Sequence, residues 1–429
     1  MENLIKKVPE SSQFSYEEQK SYIKQLVDQI PEDAKRILIL PPDITRKHSG
    51  AGVLTSIFYD FLRQMDIEID IMPALGTHDP MENRKLKEMF GTGIPMEAFK
   101  THDWRNDTIK IGEIPAEYVS EVTEDKVKQS IPVKVNECLI KGGYDLIISI
   151  GQVVPHEVVG MANYSKNVLV GVGGFEIISV SHFVGAVAGV ENVMGRDHSP
   201  ARKLYDYAQE HFLKDMPLLY ILTVNSTDID EESELTRMLG IFTGYDRSVF
   251  ERAVEFSKKV NIIKVEKSLN KVVVYLDPEE FKTTWIGCKA VYRTRMAIAD
   301  GGELIIIAPG LHKFGEDINN DRLIRKYGYV GTEKVLDLVK ENSDLQENLS
   351  AAAHLIQGSS EGRFKINFAC QHLRKQDIEG VNFNYLPLDR ALEKYNINEL
   401  DSGLNNVDGE EIFYINNPAT GLWVAKDKF

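Results

Sequence analysis

RILILPPDITRKHSGAGVLTSIFYDFLRQMDIEIDIMPAL, residues 36–75, decides the fold class. It opens on a short apolar run, RILILP (36–41), and turns through a polar stretch into the helix-like LTSIFYDFLRQM (54–65). It closes on a second strand-like run, IEIDIMPAL (67–75). Strand, helix and strand at this spacing make a βαβ unit with parallel strands. The alternation continues with a polar helix around ENRKLKEMFG (82–91) and strand candidates DLIISIG (145–151), NVLVGV (167–172) and LLYILTVN (218–225). Ligands of such sheets collect beyond the carboxyl ends of the strands. Asp43 to Arg46, Gly76 to His78 and Pro155-His156 all fall at such ends.

The pattern changes near residue 260. NIIKVEKSLNKVVVYLD (261–277) reads as two strands around a short turn, and KAVYRTRMAIAD (289–300) as a helix stopped by Gly301-Gly302. ELIIIAPG (303–310) reads as a buried strand and DRALEKYN (389–396) as a helix. The expectation is two Rossmann-like α/β domains with the active site in the cleft between them. Their bounds are 1–262 and 263–404, with 405–429 packing back on the first.

Composition narrows the function. The chain is 429 residues long with a formal net charge of −15, which argues against a nucleic-acid partner, because phosphate binding needs clustered Lys and Arg. No apolar run approaches the roughly 20 residues that span a bilayer. The first residues, MENLIKKVPESSQFSYEEQK, lack the apolar core of a secretion signal, and a cytoplasmic location is expected. Cys138, Cys288 and Cys370 are too widely spaced for a disulfide framework or a Cys-x-x-Cys zinc site.

Chemistry concentrates between Gly151 and Gly195. From Gly160 to Gly195 there are seven glycines and three charged residues, Lys166, Glu176 and Glu191, in a chain that is 27% charged overall. A desolvated lysine loses its proton readily and becomes nucleophilic. His156, ten residues before Lys166, and His182, sixteen after it, can move protons or hold metal. Their spacing matches neither a helical zinc pair nor a zinc finger. Upstream, Asp43 and Thr45 can fix a loop that carries Arg46, a two-pronged carboxylate or phosphate binder. His78 follows Gly76 at the mouth of the sheet. His102 reads either as a weaker candidate or as a packed histidine. Gly171 to Gly174, Gly310 to Gly315, and His354 with GSSEGRF (358–364) and its Arg363 read as ordinary loops or anion loops. On residues alone, a divalent-metal hydrolase or lyase using His78, His156 and His182 stays open, as does an inactive binding protein.

Taken together, Asp43-Ile-Thr45-Arg46, Gly76-Thr-His78, His156 with Gly160 and Lys166, and His182 resemble the nickel-pincer lactate racemase family. The resemblance implies a 2-hydroxy acid racemase or epimerase that inverts C2 by reversible hydride transfer. Its cofactors would be nickel and a pyridinium-3,5-bisthiocarboxylic-type mononucleotide attached covalently at Lys166, made by partner biosynthesis proteins. His182 would be the metal ligand. His78 and His156 would be the acid/base pair, and Arg46 would orient substrate. Asp43, Thr45 and Ser165 would contact the cofactor, and Lys289 and Trp285 the substrate. The chain departs from the family at Asn163-Tyr164, where lactate-specific members carry glycines. It has Ile286 in place of a glutamine, and Lys47-His48-Ser49-Gly50 where proline is common. These departures point away from lactate itself, toward a sugar acid or another larger 2-hydroxy acid.

Overall fold

The computed structural model describes residues 3–230 and 232–429. The chain divides into two compact units, Met1–Ser181 with Gly195–Asn261, and His182–Met194 with Ile262–Phe429. Both are α/β.

In the first unit a six-stranded sheet is built from β1 (Leu4–Lys7), β2 (Arg36–Leu40), β3 (Glu68–Ile71), β4 (Leu146–Gln152), β5 (Leu218–Ile229) and β6 (Thr236–Gly244). The spatial order is β1-β6-β5-β4-β2-β3. The four strands β3, β2, β4 and β5 are parallel, and β6 and β1 add antiparallel at the edge. Ile37 to Leu40 and all of β4 are buried, as expected of parallel strands covered on both faces. Helices α1 (Tyr16–Val27) and α2 (Ala51–Leu62) cover one face and pack Ile23, Leu26, Leu54 and Phe58 onto Ile39, Ile148 and Ile221. A capping box of Ser15 and Glu18 starts α1. The chain leaves β2 for β3 on one side, and β4 then joins on the other, so the strand order reverses between β2 and β4. In such sheets ligands bind at the switch point, beyond the carboxyl ends of these two strands.

Residues 167–172, expected as a strand, are instead the end of a short helix, α3 (Ser165–Leu169), and the turn after it. The apolar run is buried, but apolarity alone does not separate a buried helix turn from a buried strand. Helix α4 (Phe175–Val187) follows, then α5 (Pro200–Ala208) and α6 (Arg247–Asn261).

The second unit holds β7 (Leu269–Tyr275), β8 (Ile298–Ile307), β9 (Lys365–Cys370), β10 (Asn384–Pro387), β11 (Gly403–Val407) and β12 (Glu410–Ile415), in the order β10-β9-β8-β7-β12-β11. All pair in parallel except β11. Helix α7 (Lys289–Thr294) ends sooner than expected, because strand β8 already begins at Ile298 and runs through Gly301-Gly302.

Two expected boundaries are corrected. Residues 405–429, expected with the first unit, cluster with the second. Strand β12 pairs with β7 through Val272 and Phe413, and Leu422–Ala425 pairs with Ile262–Val265, so the tail completes the second unit's sheets. Residues 182–194 also cluster with the second unit, so α4 crosses the division. Glu191 fixes this segment there, with Oε1 3.1 Å from Arg295 Nε and a second bond to Arg363. Among the described residues no helix is long and apolar enough to cross a membrane.

Candidate functional site

The switch point of the first unit brings most of the sequence candidates together. After β2 the chain passes Pro41-Pro42 into a tight turn, Ile44–Ser49, that carries Arg46. Asp43 precedes it, nearly buried. One of its carboxylate oxygens accepts from Thr45 Oγ1 at 2.6 Å, and the other lies 2.6 Å from Nδ1 of His78. The His78 side chain is 59% exposed while that of Asp43 is 7% exposed, so the acid orients the ring from within. Burial pushes the Asp43 carboxyl up, but His78, Thr45 and Arg46 together hold it below the ordinary carboxylate range. An ionised Asp43 accepts a hydrogen bond from Nδ1–H of His78 and leaves Nε2 as the basic nitrogen.

Helix α3 sits against the same strand ends. Asn167 donates to Leu40 O at 3.1 Å and to Ser149 Oγ at 2.9 Å, tying the helix to β2 and β4. Lys166 is its neighbour. Part of the Lys166 side chain remains accessible, yet its ammonium lies among enough protein atoms to be desolvated. That burial, with Arg46 and Arg202 nearby and against the pull of Glu157 and Asp43, draws the amine down to about 8. About a tenth of it is therefore unprotonated at pH 7, far more than for an ordinary lysine.

The loop before α3 takes an unusual path. Asn163 and Tyr164 have φ of 70° and 59°, the left-handed region that favours glycine. Holding a non-glycine residue in such a region costs about 1–3 kcal/mol, and the surroundings must offset it. The Tyr164 ring is buried, 4.4 Å from the Tyr220 ring and stacked 5.2 Å from that of Phe250. The Asn163 side chain folds over Gly151, where an added Cβ would lie 1.9 Å from Asn163 Nδ2. Arg202, fully buried, donates to Met161 O, Asn163 O and Ser165 Oγ. Ser165, a candidate cofactor contact, is itself fully buried on this bond.

His156 is buried beyond the end of β4, in a two-residue bridge with Gly160. Its Nδ1 accepts from Val158 N–H at 3.1 Å and lies 3.6 Å from Glu157 Oε2. The first contact places the proton of the neutral ring on Nε2. The second offers a countercharge once the ring is protonated.

His182 lies on α4 in the stretch that clusters with the second unit. In that unit Lys289 Nζ is 3.5 Å from Glu280 Oε1 and 5.4 Å from the Phe281 ring centroid. Trp285 packs 4.5 Å from the His354 ring, whose Nε2 is 2.8 Å from Tyr329 Oη. Other candidates prove structural. His102 is buried between Gly173 O and Asn136 Nδ2, and burial lowers its affinity for a proton. Arg363, in the supposed anion loop, binds Glu191 and Asp300. His312 in the 310–315 loop is exposed, with Nδ1 3.0 Å from Gly310 O. Asn167, Glu157 and Arg202 were not singled out from sequence. Asn167 and Arg202 act through backbone and buried contacts that no spacing rule reveals.

Residues 19–195 match the profile of the lactate racemase N-terminal domain. Over this segment the chain is similar to the lactate racemase family. The matched segment contains the switch-point loops, Lys166 and His182. Two solved structures share the fold. The lactate racemase apoprotein from Thermoanaerobacterium thermosaccharolyticum aligns with a TM-score of 0.71 and 17% identity, covering 94% of this chain and 92% of that one. A structural-genomics protein from Thermotoga maritima aligns with a TM-score of 0.82 and 23% identity, covering 98% of this chain and all of that one. No curated protein gives a significant sequence match.

Proposed function

We propose that the chain is a 2-hydroxy acid racemase or epimerase that uses nickel held by a pyridinium-type pincer mononucleotide. The observation that carries this reading is Lys166. A desolvated amine drawn to about 8, beside Arg46 and Arg202 in a chain of net charge −15, suits covalent capture of an acidic nucleotide. In this reading Lys166 holds the nucleotide, His182 ligates its metal, and Thr45 and Ser165 lie along the nucleotide's side of the site. When bound, the group supplies a hydride acceptor for the substrate's C2.

The chain's own residues supply the rest. Arg46 binds the substrate carboxylate in two-pronged fashion. His78, with Nδ1 held by Asp43, receives the hydroxyl proton at Nε2. His156 serves the opposite hand of the substrate, with Glu157 as the countercharge when its ring is protonated. Lys289 and Trp285 are assigned to substrate polarisation and shape. Ile286, at the position of the family's glutamine, and Lys47 to Gly50 support a substrate other than lactate. Asn163-Tyr164 lends that view little, because both side chains are turned into the protein.

A divalent-metal hydrolase or lyase built on His78, His156 and His182 has less support. Among the described residues no group of three or more His, Cys, Asp or Glu is placed to hold a metal ion. The test is co-expression with the cofactor biosynthesis proteins. The reading requires a covalent mass addition on the Lys166 peptide, stoichiometric nickel, and inversion of 2-hydroxy or aldonic acids in deuterium oxide without label at C2. An unmodified Lys166 under those conditions overturns it.

A further inference from the structure

We propose that Arg202 is the positioning residue of Lys166, fixing through one buried guanidinium the turn that aims the reactive amine. This rests on the reading that Lys166 is the cofactor's attachment point. The guanidinium reaches three acceptors within the five residues that precede Lys166. One terminal nitrogen donates to Met161 O at 2.6 Å and Asn163 O at 3.1 Å, and the other to Ser165 Oγ at 3.2 Å. The planar fork reaches these acceptors from two separate terminal nitrogens, whereas an ammonium's three donors all radiate from one. The turn needs this clamp, because Asn163 and Tyr164 both sit at positive φ, which Asn tolerates but Tyr disfavours.

Arg202 is in turn held rigidly. It lies in the first turn of α5, where its N–H donates to the capping Ser199 Oγ at 3.1 Å. Ser199 Oγ donates to Val159 O at 2.9 Å, so the same helix start grips the chain just after His156. The guanidinium stacks 4.5 Å from the Phe250 ring centroid, the ring that also packs on Tyr164. Its nearest carboxylates, Asp197 and Asp206, are both bonded to Arg247. Among the described residues Arg202 has no direct ion pair, and its positive charge reaches the Lys166 amine, adding to the effect of Arg46. The charged groups facing Lys166 come from three other elements: Asp43 and Arg46 after β2, Glu157 before Gly160, and Arg202 on α5.

The test uses the apoprotein, so it does not depend on cofactor loading. Trace acetylation with N-acetoxysuccinimide, followed by peptide mass spectrometry across the neutral to alkaline range, gives the rate and pH midpoint for Lys166 against the exposed lysines. Arg202→Lys keeps the charge and loses the fork, so the Lys166 rate should fall about tenfold with its midpoint unmoved. Arg202→Gln loses both, so the rate should fall and the midpoint rise. Folded variants in which Lys166 behaves as in the wild type overturn the proposal. If both variants fail to fold, Ser165→Ala, which removes a single acceptor, must still slow Lys166 selectively, and an unchanged rate overturns the proposal. A Lys166 left unmodified in the cofactor-loaded wild type sinks the functional reading instead, and leaves the effect of Arg202 on the amine standing.

Discussion

Asp43 Oδ2 lies 2.6 Å from Nδ1 of His78, joining two residues 35 positions apart at the mouth of one sheet. The buried acid fixes the tautomer of a half-exposed ring. Asp43→Asn keeps the shape but reverses the proton preference, because an amide can offer Nδ1 a donor. Turnover of the cofactor-loaded enzyme should fall about a thousandfold or more, as when an orienting carboxylate becomes an amide in other histidine-based sites. Chiral chromatography of the product mixture measures it. A loss under tenfold argues that His78 does not act through this pair.

The same pair sets an acid limit. The Asp43 carboxyl is held below its unfolded value, so its contribution to stability is fully present above the ordinary carboxylate pKa of about 3.9. That contribution is lost as pH falls through the lower, folded-state value. In the wild type, the chemical shifts of His78 should report loss of the Asp43 bond only in that acid range. Release of the ring at milder acidity contradicts the assignment.

Lys166 makes the opposite kind of statement. Its folded-state value of about 8 lies below that of an unfolded lysine, so the unfolded chain binds more protons between the two. Burying the ammonium is a full penalty below the folded value, and stability recovers as pH rises toward the unfolded value. Lys166→Met should therefore raise the apoprotein's melting temperature at neutral pH while abolishing cofactor attachment. Differential scanning calorimetry and intact mass settle both halves. A lower melting temperature would show that the lysine is not desolvated in the folded state.

Glu157 should matter through charge rather than packing. When His156 is protonated, its Nδ1 must give up the Val158 N–H and turn to Glu157 Oε2, now 3.6 Å away. Glu157→Gln removes the carboxylate that favours the charged ring. Turnover is expected to drop about tenfold, with the limb of the pH profile that belongs to His156 moving to lower pH. A drop with no movement of either limb assigns Glu157 a packing role only.

Gly151 and Asn163 should show reciprocal dependence. Gly151→Ala drives a methyl into Asn163 Nδ2 and should lower the melting temperature by several degrees. Adding Asn163→Gly removes the obstacle and suits the left-handed backbone, so the double variant should recover most of the loss. Additive losses in the double variant contradict the contact.

The sheet of the first unit was legible because parallel strands are continuous apolar runs, as in RILIL and LIISIG. Residues 167–172 misled for the same reason: a buried helix turn in a glycine-rich segment carries equal apolarity. The tail from residue 405 was misplaced because strand pairing is a long-range fact. Nothing local in EEIFYI says that it lies beside Val272 to Val274. In the site, the loop residues that follow strands were visible through the rule for ligand position in α/β sheets. Arg202 and Asn167 were not, since their value lies in carbonyls and hydroxyls that the fold alone brings within reach.

The socket around Tyr164 also restricts how this protein can be recombined. Its ring depends on Tyr220 in β5 and Phe250 in α6, which are far away in the chain. A loop graft from a relative with glycines at 163 and 164 would leave a hole between those two rings. A loop exchanged into this chain must therefore bring a ring at 164 or move residues 164, 220 and 250 together.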